Sequence, residues 1–157
     1  EGFITFQNNL YIIMMLLSKE IARDGEGATK LLECICTGAP NEDTAEVVAK
    51  SVITSSLFKA AMFGQDANWG RVLCAIGYAD AEFEISKVSV SIASKSGKID
   101  VCENGAGIEF SEEFAKVVLA EDEIQILVNL NQGEDNAVAW GCDLTYDYVK
   151  ITGDYRS

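Results

Sequence analysis

A chain of 157 residues, of which 48% are hydrophobic and 24% are charged, has the length and composition of a single globular domain. Its formal net charge of −13 argues against nucleic acid or an anionic membrane as a partner, because both require a cationic protein surface. Histidine is absent, which excludes every catalytic device or metal site that would use an imidazole of this chain.

The N-terminal half of the sequence is predicted to be mainly helical. In chain order we expect a helix over residues 6–23, a strand over 29–37, a helix over 44–58, a further helical turn over 59–64 and a helix over 66–75. Asn41 or Asp43 is expected to cap the second helix, because short polar side chains accept hydrogen bonds from the free N–H groups of a first turn. We interpret Asp66 and Asn68 in the same way, rather than as substrate contacts.

The C-terminal half carries most of the strand signals. We expect a strand over residues 87–93 with a hairpin partner at 99–101, a helix over 111–119, and strands over 123–131 and 137–144 joined by a polar turn. Ser111 is expected to cap the short helix. Because helices and strands alternate without a regular βαβ rhythm, we predict an α+β fold, a layered α/β sandwich with a mostly antiparallel sheet. Residues 1–157 form a single segment in this interpretation.

The five cysteines, at positions 34, 36, 74, 102 and 142, lack the spacing of metal ligands. Cys34 and Cys36 would share one face of a strand, but no second pair accompanies them. Alternating apolar neighbours indicate reduced, buried thiols in a reducing compartment.

One loop, Asp24-Gly25-Glu26-Gly27-Ala28-Thr29-Lys30, carries a carboxylate between two glycines. No neighbouring Cβ shields such a carboxylate, so a ligand can approach it closely. Lys30 is interpreted as a solvated side chain, and the alternative is that it neutralises Glu26 or contacts a carboxylate. Residues 140–157 remain patterned and rich in aromatic residues to their end, which indicates a docked terminus. Together the two segments predict a site for a small charged molecule. Trp140, Tyr146, Tyr148 and Tyr155 are interpreted as core and interface aromatics.

Three blocks of sequence resemble the ornithine acetyltransferase family, also called glutamate N-acetyltransferases. The blocks are DGEGATK at residues 24–30, AKSVITSSLFKAAMFGQDANWGRVLCAIGYA at 49–79 and AVAWGCDLTYDYVKITGDYRS at 137–157. They occur in the family's order, and the resemblance covers nearly the whole chain.

The resemblance implies an amine-nucleophile (Ntn-like) acetyltransferase of arginine biosynthesis that cleaves its own precursor. A threonine at the new N-terminus of the β chain would be the nucleophile, with its freed amine as base. The implied reaction moves an acetyl group from N-acetylornithine to glutamate through an acetyl-threonine intermediate. Some members also accept acetyl-CoA as a substrate, and no other cofactor is implied.

The resemblance also implies partner chains. Glu1 stands only one helix ahead of the DGEGATK block, whereas a family β chain begins with its threonine several tens of residues earlier. We therefore expect this chain to be the C-terminal part of a β chain and to contain no catalytic residue. The expected partners are an α chain and the N-terminal part of the β chain, in a cytoplasmic α2β2 heterotetramer. A mitochondrial location stays open.

Three positions match substrate-binding residues of the family. Glu26 is expected to pair with an ammonium group of ornithine, and Ser157 to reach back into the site. Thr152 stands where many members have asparagine, so it keeps a hydroxyl but lacks the amide's donor and acceptor. Two alternatives remain. The chain is a non-catalytic structural or regulatory segment of that assembly, or it belongs to another amine-nucleophile hydrolase, against which the WGCDLTYDYVKI tail argues.

Overall fold

Residues 2–155 of the computed structural model, the part of the chain that is described, form six α-helices and six strands. The helices are α1 (Gly2–Arg23), α2 (Glu42–Thr54), α3 (Ser56–Phe63), α4 (Trp69–Gly77), α5 (Glu112–Leu119) and α6 (Tyr146–Asp154). The strands are β1 (Leu31–Ala39), β2 (Ser89–Ser94), β3 (Gly97–Glu103), β4 (Ala106–Gly107), β5 (Glu123–Asn129) and β6 (Asp135–Cys142). A 3₁₀ turn at Ile85–Lys87 precedes β2.

The six strands form one sheet in the order β4-β3-β2-β5-β1-β6. Only β1 and β5 run parallel, and every other neighbouring pair is antiparallel. The predicted α+β fold with a mostly antiparallel sheet is therefore confirmed. The two last strands are joined by a short turn, as expected, and β1 lies between them in the sheet. Alternation identifies a strand but does not identify its neighbours, and β1 has apolar side chains that suit an interior position.

The main core lies on one face of this sheet. Leu32, Cys34 and Cys36 of β1 are completely buried there, as are Ile124, Ile126 and Val128 of β5 to within 1%. The buried faces of α2, α4 and α5 contribute to the same cluster. Each Å² of apolar surface removed from water contributes roughly 25 cal/mol to the free energy of folding. This cluster is therefore the main source of stability. Helix α1 contributes none of its residues to this core.

Side chains at the helix starts confirm three predicted caps. Asn41 Oδ1 accepts from Thr44 N–H at 2.8 Å, and Asn68 Oδ1 accepts from Arg71 N–H at 3.1 Å. Ser111 Oγ accepts from Phe114 N–H at 3.2 Å. Each of these interactions joins residues three positions apart, which is why the local sequence predicts them.

The prediction of a single helix over residues 44–58 is wrong, because the helix is interrupted at Ser55. Ser55 is extended, with φ −69° and ψ 113°, and its hydroxyl caps α3 by accepting from Phe58 N–H at 3.4 Å. An apolar stripe continues across this position, so the periodicity gives no sign of the break.

The five cysteines differ in how far they are exposed. Cys34, Cys36 and Cys102 are buried, Cys142 is partly buried and Cys74 is exposed. Burial was therefore predicted correctly for three of them and wrongly for Cys74, because α4 turns Val72, Ala75 and Ile76 towards the core instead. All five are free thiols. Among residues 2–155 there is no cluster of acidic and thiol side chains arranged to hold a metal ion. No helix within that range has both the length and the apolar character that crossing a bilayer requires.

Candidate functional site

Glu26 lies in a tight turn between α1 and β1. The carbonyl of Gly25 accepts from Ala28 N–H at 2.9 Å, and Gly27, the third residue of this turn, has φ +66°. A positive φ at that position, with Glu26 itself at negative φ, is the pattern of a type II turn. Glu26 is the second residue of the turn and its side chain is exposed. The turn therefore presents one carboxylate to solvent on a defined backbone.

The residues after this turn bind to the segment that follows β6. Asp143 is only 3% exposed, and its Oδ1 accepts from Thr29 N–H at 2.8 Å and from Lys30 N–H at 3.0 Å. The Thr29 hydroxyl donates to Asp143 Oδ2 at 2.5 Å. A charged acceptor makes such hydrogen bonds roughly twice as strong as neutral ones. The two segments that the sequence analysis combined into one site are thus in contact.

Thr145 makes a second link between the same segments. Its hydroxyl donates to the carbonyl of Gly27 at 2.7 Å and accepts from Tyr148 N–H at 3.1 Å, which caps helix α6. We call Asp143 and Thr145 the loop anchor. The loop anchor holds the backbone on the C-terminal side of Glu26 and also fixes the first turn of α6, so the turn and the last helix form one unit.

The two glycines that flank Glu26 are required by this packing. A Cβ on Gly25 would lie 2.5 Å from Cys142 Sγ, and a Cβ on Gly27 would lie 2.7 Å from Tyr148 N. Gly27 therefore excludes a side chain whether or not a ligand is present, and Gly25 accepts one only if the Cys142 thiol moves. Close contact with the β6–α6 segment is thus a sufficient reason for the two glycines, without a ligand.

Lys30 is buried, contrary to the prediction of a solvated side chain, with 8% of its surface exposed. Its Nζ donates to the carbonyls of Leu119 at 2.8 Å and Glu121 at 2.7 Å, at the C-terminal end of α5, where backbone acceptors lack helical partners. Burial lowers the pKa of Lys30, and the nearby carboxylates, Asp143 first among them, oppose that shift. The sequence could not show this contact, because its acceptors lie about 90 positions away.

The other two predicted site residues belong to the last helix and the terminus. Thr152 is exposed on α6, the helix whose first turn contacts Gly27. Ser157 lies outside the described residues. Tyr146 and Tyr155 are 83% and 79% exposed, so neither is a core residue of this chain, although Tyr146 packs edge-to-face on Phe63 with ring centroids 5.4 Å apart. An interface role for these aromatics stays a prediction.

A polar cluster that the sequence analysis missed lies on the opposite face of the sheet. Glu33 on β1 accepts from Trp140 Nε1 and Gln125 Nε2, each at 2.7 Å, and pairs with Lys19 of α1 at 2.9 Å. Burial raises the pKa of Glu33, but hydrogen bonds from Lys19, Gln125 and Trp140 outweigh it and hold the pKa below its ordinary value. The available signal was the position of Glu33 between Leu32 and Cys34, opposite the buried face.

Comparison with known proteins shows the family of this chain. The model of the ArgJ family matches residues 1–157. The chain is 55% identical over 157 residues to "Arginine biosynthesis bifunctional protein ArgJ 1" of Clostridium acetobutylicum, covering 100% of this chain and 38% of that protein. It is 48% identical over 155 residues to the ArgJ protein of Caldanaerobacter subterraneus, covering 99% of this chain and 38% of that protein.

A solved structure gives the same result. The crystal structure of the arginine biosynthesis bifunctional protein ArgJ from Bacillus halodurans superposes with a TM-score of 0.90 at 45% identity, covering 97% of this chain and 70% of that chain. The chain therefore spans less than two fifths of the length of these two curated relatives and 70% of the solved chain.

Proposed function

This chain belongs to the ArgJ family of arginine biosynthesis proteins, and we propose that it forms part of an acetyltransferase acting on N-acetylornithine and glutamate. The observation that carries the proposal is the exposed Glu26 carboxylate, held on a turn that is bonded to the start of the last helix. A carboxylate on a fixed turn suits an amino-acid substrate, because it can pair with an ammonium group and orient the substrate.

In the proposed reaction, this chain binds substrate while another segment of the protein supplies the nucleophile. A threonine hydroxyl, deprotonated by its own terminal amine after autocatalytic cleavage of the precursor, attacks the acetyl carbonyl of N-acetylornithine. The amide C–N bond breaks, ornithine leaves with a proton on its amine, and an acetyl-threonine ester remains. The amine of glutamate then attacks that ester and restores the threonine hydroxyl. The curated relatives are named bifunctional, and acetyl-CoA as an alternative acetyl donor is part of this proposal.

We assign Glu26 and Thr152 to substrate binding, and the proposal also includes Ser157, which lies outside the described residues. At about 4 Å and an effective dielectric of 20, a carboxylate and an ammonium attract by roughly 4 kcal/mol, before the cost of removing water from both. That attraction suffices for a large change in KM when the charge is removed. No metal is required by this chemistry.

The proposed partners are an α chain and the N-terminal part of the β chain, in an α2β2 assembly. Helix α1 exposes apolar side chains along its length, and Phe3 and Ile21 are more than 75% exposed. A large exposed apolar surface of this kind marks an interface. Because the chain spans only 38% of the length of its curated relatives, the remainder of the protein is the occupant we propose. Free, mostly buried thiols support a cytoplasmic location.

The test is Glu26→Gln in the complete protein, with Glu109→Gln, another exposed glutamate, as the control. We expect Glu26→Gln to raise KM for N-acetylornithine by about 10- to 100-fold while the assembly, followed by gel filtration, stays intact. Glu109→Gln should behave as wild type. Unchanged acetyl transfer in Glu26→Gln would reject the proposed role. Loss of assembly would instead favour the alternative of a purely structural segment. The hydrogen bonds between the Glu26 turn and the segment that begins α6 are also consistent with that alternative.

A further inference from the structure

We propose that Asp143 is a positioning residue for substrate binding, which acts through Thr29 and Lys30 to hold the turn that presents Glu26. The inference rests on the proposed role of Glu26. It adds a residue that does not contact substrate in the proposed reaction. That residue determines the position of Glu26, which pairs with the ammonium group of the substrate.

Both oxygens of the Asp143 carboxylate bind the loop that carries Glu26. The side chain is almost completely buried, yet no ion pair of the described residues involves it, and both oxygens instead accept from N–H and hydroxyl groups of the loop. Burying a carboxylate is costly unless hydrogen bonds replace its water. Here three hydrogen bonds do so, and all three come from two consecutive residues. A buried charge devoted to one loop indicates that the loop's position is what it determines.

These hydrogen bonds restrain the turn that carries Glu26. Thr29 is three residues beyond Glu26, and the intervening backbone is closed by the hydrogen bond from Ala28 to Gly25. On the same side, the carbonyl of Gly27 is held by Thr145. Little freedom remains for the turn while these bonds persist. Without the Asp143 carboxylate, the N–H groups of Thr29 and Lys30 lose their acceptor. The turn then keeps the hydrogen bond from Thr145 to Gly27 and the backbone bond from residue 143 to the Lys30 carbonyl.

The loop anchor also lies at the start of the last helix. Asp143 and Thr145 are separated by one residue and directly precede α6, which carries Thr152. The loop anchor therefore sets Glu26 and the last helix relative to one another. Displacement of the turn should weaken binding of the amino-acid substrate without altering the reaction of an acetyl group once bound.

The experiment is a double-mutant cycle in the complete protein, with KM and kcat for N-acetylornithine measured for Asp143→Ala, Glu26→Gln and the double variant. We expect Asp143→Ala to raise KM by about tenfold with kcat within about threefold of wild type. In the Glu26→Gln background the same change should leave KM unaltered. An equal rise in KM in both backgrounds, or no rise in wild type, would overturn the inference.

Asp143→Asn separates geometry from charge. Its Oδ1 can keep both backbone bonds, and its amide can donate to the Thr29 hydroxyl, so we expect KM close to wild type. A rise in KM as large as that of Asp143→Ala would contradict positioning by hydrogen bonds.

Thr29→Val provides a second variant if Asp143→Ala does not fold. It removes only the hydroxyl bond of an exposed residue, and we expect KM to rise by about threefold, again only when Glu26 is present. Thr54→Val, which removes an exposed hydroxyl bond within α2, is its control and should leave KM unchanged. Unchanged KM in Thr29→Val would count against the inference. If Glu26→Gln itself has no effect on KM, the proposed function fails; if it raises KM while the anchor variants do not, only this inference fails.

Discussion

The ammonium group of Lys19 lies 2.9 Å from the carboxylate of Glu33, and this ion pair joins helix α1 to β1, an interior strand of the sheet. Gln125 and Trp140 donate to the same carboxylate from the two strands beside β1. Lys19 also lies 5.6 Å from the centre of the Trp140 ring, within the range of a cation–π contact. One glutamate thus links α1, β1, β5 and β6 on the face of the sheet opposite the main core.

We predict that Glu33→Gln destabilises the protein in a pH-dependent way. The pKa of Glu33 in the folded protein is below its ordinary value of 4.5, so its contribution is complete above that value and is lost as the pH falls through the lower folded pKa. At pH 7 we expect the free energy of unfolding in urea to fall by about 1–3 kcal/mol, because three donors lose a charged acceptor. The difference from wild type should shrink at lower pH. Glu109→Gln is the control, and an equal difference at pH 7 and pH 3 would contradict the prediction.

Gly27→Ala should destabilise the turn that carries Glu26. The positive φ of Gly27 costs an alanine about 1–2 kcal/mol, and the new Cβ would meet Tyr148 N at 2.7 Å, so we expect a loss of at least that size. Thermal unfolding measures it. Gly153→Ala in α6 is the matched control, because a Cβ there meets nothing within 4 Å and should leave the melting temperature unchanged or slightly raised. Equal melting temperatures for the two variants would show that the turn differs from the one described.

Lys30→Met should lower stability by about 1–3 kcal/mol. Methionine can occupy the buried stem of the side chain, but the carbonyls of Leu119 and Glu121 lose their donor. Urea denaturation of both Lys30→Met and Lys116→Met, an exposed lysine of α5, gives the comparison. The Lys116 variant should match wild type. Wild-type stability in Lys30→Met would mean that the hydrogen bonds of Lys30 only offset the cost of burying its charge.

Thiol modification should distinguish the cysteines. We expect one fast reaction with a soluble disulfide reagent at pH 8, at the exposed Cys74, and a slower one at Cys142. Cys34 and Cys36 should react only after denaturation, because they are buried and burial raises the pKa of Cys36 to about 12. Cys74→Ser should remove the fast phase. A fast phase that persists in that variant would place another thiol at the surface.

The features that the sequence predicted well are those determined by near neighbours. Asn41, Asn68 and Ser111 cap their helices through residues three positions along the chain, so each capping motif is complete in a short window. The strands were likewise visible as local alternation. Their order in the sheet was not, because it depends on which edges meet after the chain has turned several times.

The site shows the same division. Resemblance to a family identified Glu26 and the C-terminal segment, and the structure places the Glu26 turn against the start of that segment. Asp143 was not identified, although it makes most of the contacts, since an aspartate after a strand is an ordinary feature of a sequence. Its partners Thr29 and Lys30 lie more than 110 positions away, and only the folded chain shows the relationship.

The position of β1 between β5 and β6 limits when this sheet can form during synthesis. Glu33 and its parallel-strand partner Gln125 are 92 residues apart, and at 5–20 residues per second the ribosome needs roughly 5–20 s to make that interval. Throughout that time β1 has been made but neither of its neighbours exists, so both of its edges are available to other strands. The nascent chain therefore has its greatest risk of wrong pairing at β1 during this interval, and the sheet closes only after β5 and β6 have been made.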